Sequence, residues 1–391
     1  MAPNRAWERS VTKTADESAP VAPRLSDRQR FAWLRLIRSE NVGPASFRSL
    51  INRFGSAELA LAALPEMAAR GGAKKLPQVA DESAIRREFE VAAKHGFRFV
   101  AIGEPDYPAI LARSEMPPPI LCMTGSSSAY SDRLVGIVGA RNASITGIKM
   151  ARKIAADLGE AGYGTVSGMA RGIDAAAHQA ALPYRTVAVL AGGLDQPYPP
   201  ENIPLMDAII AEQGAVISER PIGWRATARD FPRRNRIVAA LGIGLVVIEA
   251  AKRSGSLISA RLATELGRDV FAVPGSPLDP RSEGSNGLIR NGAILVTSAD
   301  DIIEDLRPQE MKSEGEAAIL AGEPEQPDYE PDENERDAII GALDFSPVEI
   351  DELIRHTGLP ASAVLVHLLE LALAGRVERL PGNRVQRLPS E

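Results

Sequence analysis

The feature that most constrains this chain is a regular alternation of strand-like and helical runs along residues 97–306. Several of the strand-like runs are continuous stretches of Val, Ile and Leu, which is typical of parallel strands covered on both faces. The spacing leaves room for one helix between strands, as in successive βαβ units. We therefore predict an α/β domain built on a doubly wound sheet. The expected strands are Arg98–Ile102, Ile120–Thr124, Leu134–Gly139, Gly164–Ser167, Thr186–Ala191, Ala215–Ser218, Gly244–Glu249, Val270–Val273 and Ile294–Thr297.

The segments before this domain change character twice. Residues 1–24 are polar, contain proline and lack periodicity, which predicts a disordered tail. Residues 25–96 carry helical apolar stripes, and the first two stripes are separated by a breaker at residues 41–44 (NVGP). The second stripe ends at Gly55, because glycine commonly terminates a helix. We predict a small helical domain over residues 25–96.

The segments after the α/β domain predict a linker and one more small domain. Residues 307–335 are acidic and contain proline, which indicates a flexible linker. Residues 336–391 contain three helical stretches and then two short β-like pieces joined at residues 381–383, and this order outlines a winged helix. The helices are expected at Asp337–Leu343, Pro347–Thr357 and Ala361–Ala374, and the β-like pieces at Val377–Leu380 and Val385–Leu388.

Composition excludes several classes of protein. The net charge of −6 rules out a basic field over the whole surface, so a nucleic-acid site has to be a local patch. Residues 219–236 supply one, with six arginines against two carboxylates for a net charge of +4. The single cysteine, Cys122, fits a reducing, cytoplasmic setting. Because the N-terminus lacks the apolar region of a signal peptide and no apolar run is long enough to cross a bilayer, we expect no membrane partner.

The short motifs of several enzyme classes are missing from the sequence. It contains no GxxxxGK[ST], no HExxH, no pair of CxxC motifs and no GxSxG. Its four histidines and one cysteine are scattered, which gives little support to a zinc site or a cysteine nucleophile. We therefore expect no metal ion, no cofactor and no catalytic residues.

A first candidate loop at residues 139–144 (GARNAS) follows a predicted strand and precedes a helix expected near Thr146. Free N–H groups and the positive dipole end of a helix N-terminus favour an anion. Gly139 lets the backbone come close, and Arg141 can grip a phosphate with two hydrogen bonds. The spacing is not GxGxxG, so the nicotinamide fingerprint is absent. An ordinary turn with a surface arginine is the open alternative. The candidate phosphate contacts are Gly139, Arg141, Asn142 and Ser144.

A second candidate loop, residues 167–174 (SGMARGID), leads into a predicted helix that runs through His178. Two glycines flank an arginine at another strand end. Asp174 and His178 lie four residues apart on one helical face, which permits an acid–base pair. We favour a structural interpretation, in which Asp174 caps the helix and His178 packs or bonds to the backbone. The candidate phosphate contacts are Ser167, Gly168 and Arg171.

The third candidate loop, residues 231–236 (FPRRNR), opens a predicted helix. Three arginines there oppose the helix dipole at a cost of roughly tenths of a kcal/mol each, and a bound polyanion would reverse that cost. The ring of Phe231 can stack on a base, a contact worth about 1–3 kcal/mol in single-strand binders. We favour phosphate binding over the alternative, in which some arginines pair with acidic neighbours and Phe231 joins the core. The candidates are Phe231, Arg233, Arg234, Asn235 and Arg236.

The fourth candidate loop, residues 249–256 (EAAKRSGS), separates a predicted buried strand from a helix expected at Leu257–Leu266. Its turn offers a nest of N–H groups to an anion, and simple capping by serine is the alternative. All four loops are predicted at carboxyl ends of parallel strands, the edge at which open α/β sheets bind ligands. We infer one phosphate-binding site at this edge. The candidates in this loop are Lys252, Ser254, Gly255 and Ser256.

At these loops the sequence resembles the DNA-processing protein A family (DprA/Smf), and the resemblance covers residues 106–306 almost without interruption. Residues 25–64 are similar to the helical N-terminal domain of the family, which is SAM-like or helix-hairpin-helix, and the predicted winged helix is similar to its optional C-terminal module. The stretches that carry the resemblance are IVGARNASITG, SGMARGIDAAAHQAAL, AGGLDQPYPPEN, ISERPIG, FPRRNRIVAAL, EAAKRSGSLISARLATELGRDVFAVPGS and SEGSNGLIRNGA.

The resemblance implies an extended Rossmann-like domain that binds single-stranded DNA without hydrolysing it. It also implies a protein that protects incoming strands, helps to load the RecA recombinase in natural transformation, and dimerises through the Rossmann-like domain. The third helix of the winged helix has no Lys or Arg before Gly375, so we expect a partner-binding or regulatory role there rather than duplex reading. The family's DNA pocket corresponds to Arg141, Ser167, Gly168, Arg171, Phe231, Arg233, Asn235 and Arg236, with the KRSGS loop nearby.

Two other interpretations stay open. One is an enzyme, a nucleotide phosphoribohydrolase of a related Rossmann-type group that carries a PGGxGTxxE loop. The equivalent stretch here, residues 253–260 (RSGSLISA), lacks the glutamate, which argues against hydrolysis. The other is an adaptor protein that uses the winged helix as its main surface.

Overall fold

The computed structural model describes residues 24–130, 133–313 and 332–389, without the side chains of residues 307–313. The predicted disordered tail, apart from Arg24, and most of the predicted linker lie outside the described residues.

Four helices form the N-terminal part of the chain. A capping box between Ser26 and Gln29 starts the first, and Gly55 ends the second with the left-handed φ of 71° that glycine adopts readily. Residues 41–43 of the predicted break lie between these two helices, and Pro44 opens the second. The four helices are α1 (Asp27–Ile37), α2 (Pro44–Phe54), α3 (Ala57–Arg70) and α4 (Glu82–Lys94).

A nine-stranded sheet forms the central part, and every predicted strand is present within two residues of its expected bounds. The strands are β1 (Arg98–Ala101), β2 (Ile120–Gly125), β3 (Leu134–Gly139), β4 (Gly164–Ser167), β5 (Thr186–Val189), β6 (Ala215–Ser218), β7 (Gly244–Ile248), β8 (Asp269–Ala272) and β9 (Ile294–Leu295).

The strand order is β1-β2-β6-β5-β4-β3-β7-β8-β9. Strands β3 to β9 are mutually parallel, and the chain winds outward from β3 in both directions, which confirms the doubly wound architecture. Strands β1 and β2 form an antiparallel edge beside β6, which the alternation of runs did not indicate. Because the winding direction reverses between β3 and β7, the carboxyl ends of these two strands flank the crevice where such sheets bind ligands.

Helices cover both faces of the sheet. Neighbouring residues of β3 explain why its apolar run is continuous: Leu134 belongs to the core under one face, and Val135 belongs to the core under the other. The helix that ends at Ser313 extends seven residues into the predicted linker. The helices of this part are α5 (Ala109–Ala112), α6 (Ile145–Glu160), α7 (Ile173–Ala181), α8 (Ile203–Ala211), α9 (Asp230–Leu241), α10 (Gly255–Glu265), α11 (Glu283–Arg290) and α12 (Ala299–Ser313).

The C-terminal part is a winged helix with a three-stranded sheet in the order β10-β12-β11. The sequence predicted a helix from Pro347, but Val348 and Glu349 instead pair with the last strand, so the helix begins only at Ile350. The elements are α13 (Glu333–Ala342), β10 (Val348–Glu349), α14 (Ile350–Thr357), α15 (Ala361–Leu373), β11 (Val377–Leu380) and β12 (Arg384–Arg387).

Helix α15, the third helix of the winged helix, packs against the N-terminal helices. Leu369 and Leu373 join the apolar core of that helical domain. The carboxylate of Glu370, only 1% exposed, accepts a hydrogen bond from Nε of Arg70 at 2.7 Å. Ten of the thirteen residues of α15 are buried. The helix that a winged helix would place in a DNA groove is therefore covered by the chain itself.

Among the described residues, no helix alone has the length and apolarity needed to cross a membrane. Helices α14 and α15 meet that test only as a pair, with a bend of 116° between them.

Candidate nucleic-acid interface

The N-terminus of α6 lies at the crevice between β3 and β7 and already holds a carboxylate. The backbone N–H of Ser144 donates to Oε2 of Glu249 at 2.9 Å, and the Ser144 hydroxyl donates to Oε1. The same hydroxyl accepts from the N–H of Gly147 at 2.9 Å, so Ser144 is the N-cap of α6. The sequence assigned these groups to a phosphate, but Glu249 follows β7 and could not be placed here from local pattern.

The ring of Phe231 joins the first and third candidate loops. The guanidinium carbon of Arg141 lies 4.8 Å from the ring centroid, and the Tyr198 ring makes a T-shaped contact with the same ring at 5.8 Å between centroids. Arg141 is exposed, Phe231 is half-buried and Tyr198 is 49% exposed. An exposed cation therefore lies beside two accessible aromatic rings. The sequence singled out Arg141 and Phe231 but missed Tyr198, which belongs to the loop after β5.

Arg234 and Asn235 are buried and connect the candidate loops from within. The guanidinium of Arg234 donates to the carbonyl oxygens of Gly168 and Val189, the latter at 2.7 Å. Asn235 accepts from Nε of Arg234 at 3.2 Å and donates to the carbonyl of Gly255 at 3.2 Å. Burial lowers the pKa of Arg234 to about 10. The sequence placed both residues among the phosphate contacts; in the structure they are buried and bonded to the backbone carbonyls of Gly168, Val189 and Gly255.

The two remaining arginines of this segment face different surroundings. Arg236 is braced inside, because it donates to the carbonyl of Met116 at 2.6 Å and pairs with Glu219. Its side chain is only 19% exposed, which matches the alternative in which some of these arginines pair with acidic neighbours. The side chain of Arg233 is 60% exposed, and its one ion pair, with Glu378 of β11, is long at 3.8 Å. Arg233 is therefore the arginine of α9 that is available to a ligand.

The second candidate loop is organised by the carboxylate of Asp174. Its Oδ2 atom accepts from the backbone N–H groups of Gly168 at 3.2 Å and Ala170 at 3.3 Å. The predicted N-cap role is wrong in position, because α7 begins at Ile173 and its cap is Gly172. Burial raises the pKa of Asp174 above its ordinary value. The loop's own N–H groups are thus directed inward, toward a residue of the chain.

Asp174 and His178 do not form an acid–base pair. Nδ1 of His178 lies 2.7 Å from the hydroxyl of Thr186, whereas Asp174 is bonded to the preceding loop. His178 is fully buried, and burial lowers its pKa to about 3, so the ring is neutral at pH 7. Both side chains are thus bonded within the fold, Asp174 to the loop that precedes α7 and His178 to Thr186.

The other candidates of the first, second and fourth loops divide between surface and interior. Arg171 is 59% exposed and pairs with Glu201. Lys252 is 78% exposed, with Nζ 3.4 Å from Glu283. The hydroxyl of Ser254 caps α10 by accepting from the N–H of Ser256 at 3.3 Å. The buried and half-buried positions are Gly139, Ser167, Gly168, Ser254 and Ser256, and the exposed ones are Asn142, Arg171, Lys252 and Gly255.

The loop between β6 and α9 carries a feature that the sequence reasoning missed. Asp230, 2% exposed, accepts from the N–H of Thr227 at 2.8 Å and from the indole of Trp224 at 3.1 Å, and it pairs with Arg220. Burial opposes its charged form, yet the hydrogen bonds from Thr227 and Trp224 hold the pKa of Asp230 below its ordinary value. Trp224 itself is 42% exposed. In the sequence, the tryptophan among several arginines was the signal that could have identified this loop.

Several exposed arginines lie on the loops that follow strands of the sheet. Arg141, Arg225 and Arg229 are exposed and have no ion-pair partner in the parts of the chain that the structure describes. The same parts contain no cluster of His, Cys, Asp or Glu suited to a metal ion. Cations next to aromatic rings bind phosphates and bases together, which is the chemistry of a single-stranded nucleic-acid site.

Comparison with known proteins decides the family. The family model described as DNA recombination-mediator protein A matches residues 98–307, more than half of the chain. The chain belongs to the DprA family. Two further models of that family match its flanks: the DprA-like N-terminal HHH domain over residues 27–91 and the DprA winged helix domain over residues 323–383. The resemblance noted from the loops is thereby confirmed.

Curated relatives extend the match over nearly the whole DprA-type chain. Protein Smf of Synechocystis is 33% identical over 93% of this chain and 100% of its own length. Protein Smf of Escherichia coli is 36% identical over 72% of this chain and 78% of its own length.

Two solved structures agree with the fold. The DprA protein of Streptococcus pneumoniae superposes with a TM-score of 0.58 at 32% identity, covering 72% of this chain and 98% of that one. The Helicobacter pylori protein, described as having a unique single-stranded DNA binding mode, gives a TM-score of 0.50 at 27% identity, covering 55% and 96%.

Proposed function

We propose that this chain binds single-stranded DNA at the carboxyl edge of its Rossmann-like sheet and holds the strand without cutting it. The observation that carries the proposal is the contact of Arg141 with Phe231, flanked by Tyr198. A planar cation and two accessible rings suit a ligand that presents phosphates and unpaired bases side by side. The single-stranded DNA binding mode described for the Helicobacter pylori relative supports the same ligand.

The preference for a single strand follows from the rings. Bases in a duplex are stacked and paired, so their faces are not available to Phe231 or Tyr198. Contacts to phosphates alone would hold single-stranded and double-stranded DNA alike, with a salt dependence set by the number of phosphates contacted. The binding free energy that favours a single strand over a duplex therefore comes from base stacking, worth about 1–3 kcal/mol per base.

The proposal includes a biological role that rests on family membership. The protein protects incoming single strands in the cytoplasm and helps to load RecA in natural transformation and recombination. It does so as a homodimer formed through the Rossmann-like domain. Two measurements test this part: the mass of the purified chain in solution, expected to be that of a dimer, and RecA filament assembly on single strands, expected to be faster in its presence. A monomer, or unchanged RecA assembly, would count against it.

A non-catalytic role is supported by the state of the candidate acid–base groups. His178 is neutral and enclosed, and Glu249 is hydrogen-bonded to Ser144 at the crevice. The alternative enzyme, a nucleotide phosphoribohydrolase, needs a glutamate that residues 253–260 lack. Incubation with nucleoside monophosphates is expected to release no ribose 5-phosphate, and its release would establish the alternative.

Titration with labelled oligonucleotides tests strand preference. Single and double strands of one sequence are compared at several salt concentrations by fluorescence anisotropy. We expect tighter binding of the single strand and a slope of log K against log salt of about −0.7 for each phosphate contacted. Equal affinity for the two forms would refute the role assigned to the aromatic rings.

A further inference from the structure

We propose that the loop after β6, residues 219–229, is a second stacking platform of the same site. In this proposal, Trp224 takes one further base of the strand, and Arg225 and Arg229 contact the adjacent phosphates. The proposal rests on the proposed single-stranded DNA binding and extends it beyond the motif residues of the family.

The N-terminal domain anchors this loop through a buried ion pair. Arg38 and Glu88 lie 2.9 Å apart and are only 12% and 7% exposed. Arg38 also donates to the carbonyl of Glu219 at 3.0 Å, and Glu88 accepts from the N–H of Ile222 at 3.1 Å. Both ends of the turn that precedes Trp224 are therefore fixed to helices outside the sheet.

The loop after β5 holds residues 223 and 224 of the proposed platform from its other side. The N–H of Gly193 donates to the carbonyl of Trp224 at 2.9 Å, and the N–H of Gly223 donates to Oδ1 of Asp195 at 2.7 Å. A side chain at Gly192 would meet the Trp224 carbonyl at 2.8 Å, so the two loops are in direct backbone contact. This contact requires glycine, because any larger residue would push the loops apart.

The indole itself is held in an outward position. Its N–H donates to Asp230 at 3.1 Å, and the guanidinium of Arg220 lies 5.3 Å from the ring. Trp224 nevertheless stays 42% exposed as a residue. Leaving a large apolar surface in water opposes folding in proportion to its area. A loop whose hydrogen bonds fix such a surface outward is preorganised for a ligand that covers it, since little conformational entropy is lost on binding.

The chemistry around the indole identifies the ligand as a nucleotide strand. Arg225 and Arg229 lie on the same loop, exposed and without an ion-pair partner among the described residues. A hydrophobic partner alone would not need two flanking cations. An anion alone would not need the ring.

The position of the loop along the sheet edge continues the first site. Strand β6 is the third neighbour of β3, so with a strand spacing of roughly 4.8 Å the two loops are on the order of 14 Å apart. The loop after β5 lies between them and carries Tyr198, which touches Phe231. Trp224 lies on the connection that leads from β6 to Phe231 in the first turn of α9, so in this proposal the platform extends the pair of rings formed by Phe231 and Tyr198.

Oligonucleotide length separates this platform from the first one. Oligothymidylates of about 4 to 16 nucleotides, the range of site sizes in single-strand binding folds, are titrated against the full chain, Trp224→Ala and Trp224→Phe. We expect Trp224→Ala to bind the longer oligonucleotides about 5- to 150-fold more weakly and the shortest ones unchanged. Trp224→Phe keeps a ring but loses the hydrogen bond to Asp230, and it is expected to recover most of the affinity.

Two further variants test the cations. Replacing Arg225 and Arg229 with alanine is expected to reduce the salt slope for long oligonucleotides by about 0.7 for each phosphate that the variant no longer binds. The same slope for the shortest oligonucleotides is expected to stay unchanged, because they do not reach the loop. A slope unchanged at every length would overturn the assignment of these arginines.

Fluorescence gives a readout that a merely structural tryptophan would not move. The chain has three tryptophans: Trp7, outside the described residues, half-buried Trp33, and Trp224. In a chain with Trp7→Phe and Trp33→Phe, we expect a long oligothymidylate to quench the emission of Trp224. Unchanged emission at saturation would overturn the platform.

The outcomes distinguish the two proposals. If the unchanged protein fails to bind single strands, the proposed function fails and the platform fails with it. If the protein binds, Arg141→Ala weakens binding and both Trp224 variants bind every length normally, the function stands and the platform is refuted. If Trp224→Phe binds long oligonucleotides as weakly as Trp224→Ala, the affinity depends on the hydrogen bond to Asp230, and stacking on the ring is refuted.

Discussion

Replacing Arg141 with alanine is the most direct perturbation of the interface. The side chain is exposed, has no ion-pair partner among the described residues and touches the ring of Phe231 with its guanidinium carbon 4.8 Å from the centroid. Its removal leaves no buried polar group behind. The free energy of unfolding should therefore change by no more than about 0.5 kcal/mol, the usual range for surface substitutions.

The loss of affinity can be estimated from the contact that Arg141 supplies. A hydrogen bond to a charged group contributes about 1.5–3 kcal/mol, which corresponds to roughly a 10- to 150-fold weaker complex. One phosphate contact fewer reduces the salt slope by about 0.7. Arg141→Lys keeps the charge but loses the planar guanidinium, so its salt slope should be unchanged and its affinity intermediate.

The chain offers a matched control at the other end of the same strand. Arg133 precedes β3, is exposed, and holds its guanidinium 5.9 Å from the ring of Tyr163. Arg133→Ala thus removes the same charge and the same type of cation–ring contact from the opposite edge of the sheet. Anisotropy titrations with a labelled single strand should show normal affinity for Arg133→Ala. Equal losses in the two alanine variants would mean that only overall charge matters, and an unaffected Arg141→Ala would refute the site.

Three further predictions concern stability and the internal supports of the site. Burial lowers the pKa of His178 to about 3, whereas the unfolded side chain titrates near 6.5, so the free energy of unfolding should fall by about 1.4 kcal/mol for each pH unit below 6.5. Urea unfolding at pH 7 and pH 5 should show this loss. In His178→Gln the difference in unfolding free energy between the two pH values should be smaller by about 2 kcal/mol. Arg70→Ala leaves the carboxylate of Glu370 buried without its partner and should lower the free energy of unfolding by about 2–3 kcal/mol, most of which Glu370→Leu in the same chain should restore. A methyl group at Gly168 would collide with the guanidinium of Arg234, so Gly168→Ala should cost about 1–3 kcal/mol in urea unfolding and also weaken single-strand binding.

The sequence located the sheet well because its strands are continuous apolar runs between glycine-rich turns. Such runs carry no information on strand direction, and this is why the antiparallel edge of β1 and β2 was not foreseen. The short strand at Val348 was missed for a related reason: its two residues gain strand structure only by pairing with Val385 and Arg384, far along the chain.

The candidate loops were found, but the orientation of their side chains was not. Within α9, Arg233, Arg234 and Arg236 look equivalent in sequence, yet successive residues of a helix point about 100° apart. Arg233 is therefore exposed, Arg234 is buried against carbonyl groups, and Arg236 forms an ion pair with Glu219. The carboxylate that fills the N-terminus of α6 comes from Glu249, 105 residues after Ser144, and no local pattern reports that distance.

The buried arginine explains how a site made of separate loops keeps one shape. Arg234 binds carbonyl groups of the loop after β4 and of β5, and it lies three residues from Phe231, the ring that Arg141 and Tyr198 touch. Its charge is costly to bury, as the lowered pKa shows. Hydrogen bonds to these carbonyls and the charge of Asp174 offset that cost, so moving either carbonyl away removes part of the compensation. Because the buried charge of Arg234 needs these hydrogen bonds, it penalises displacement of the loops that supply the carbonyls. We therefore expect the loops that carry Arg141, Tyr198 and Phe231 to keep their arrangement when a strand binds.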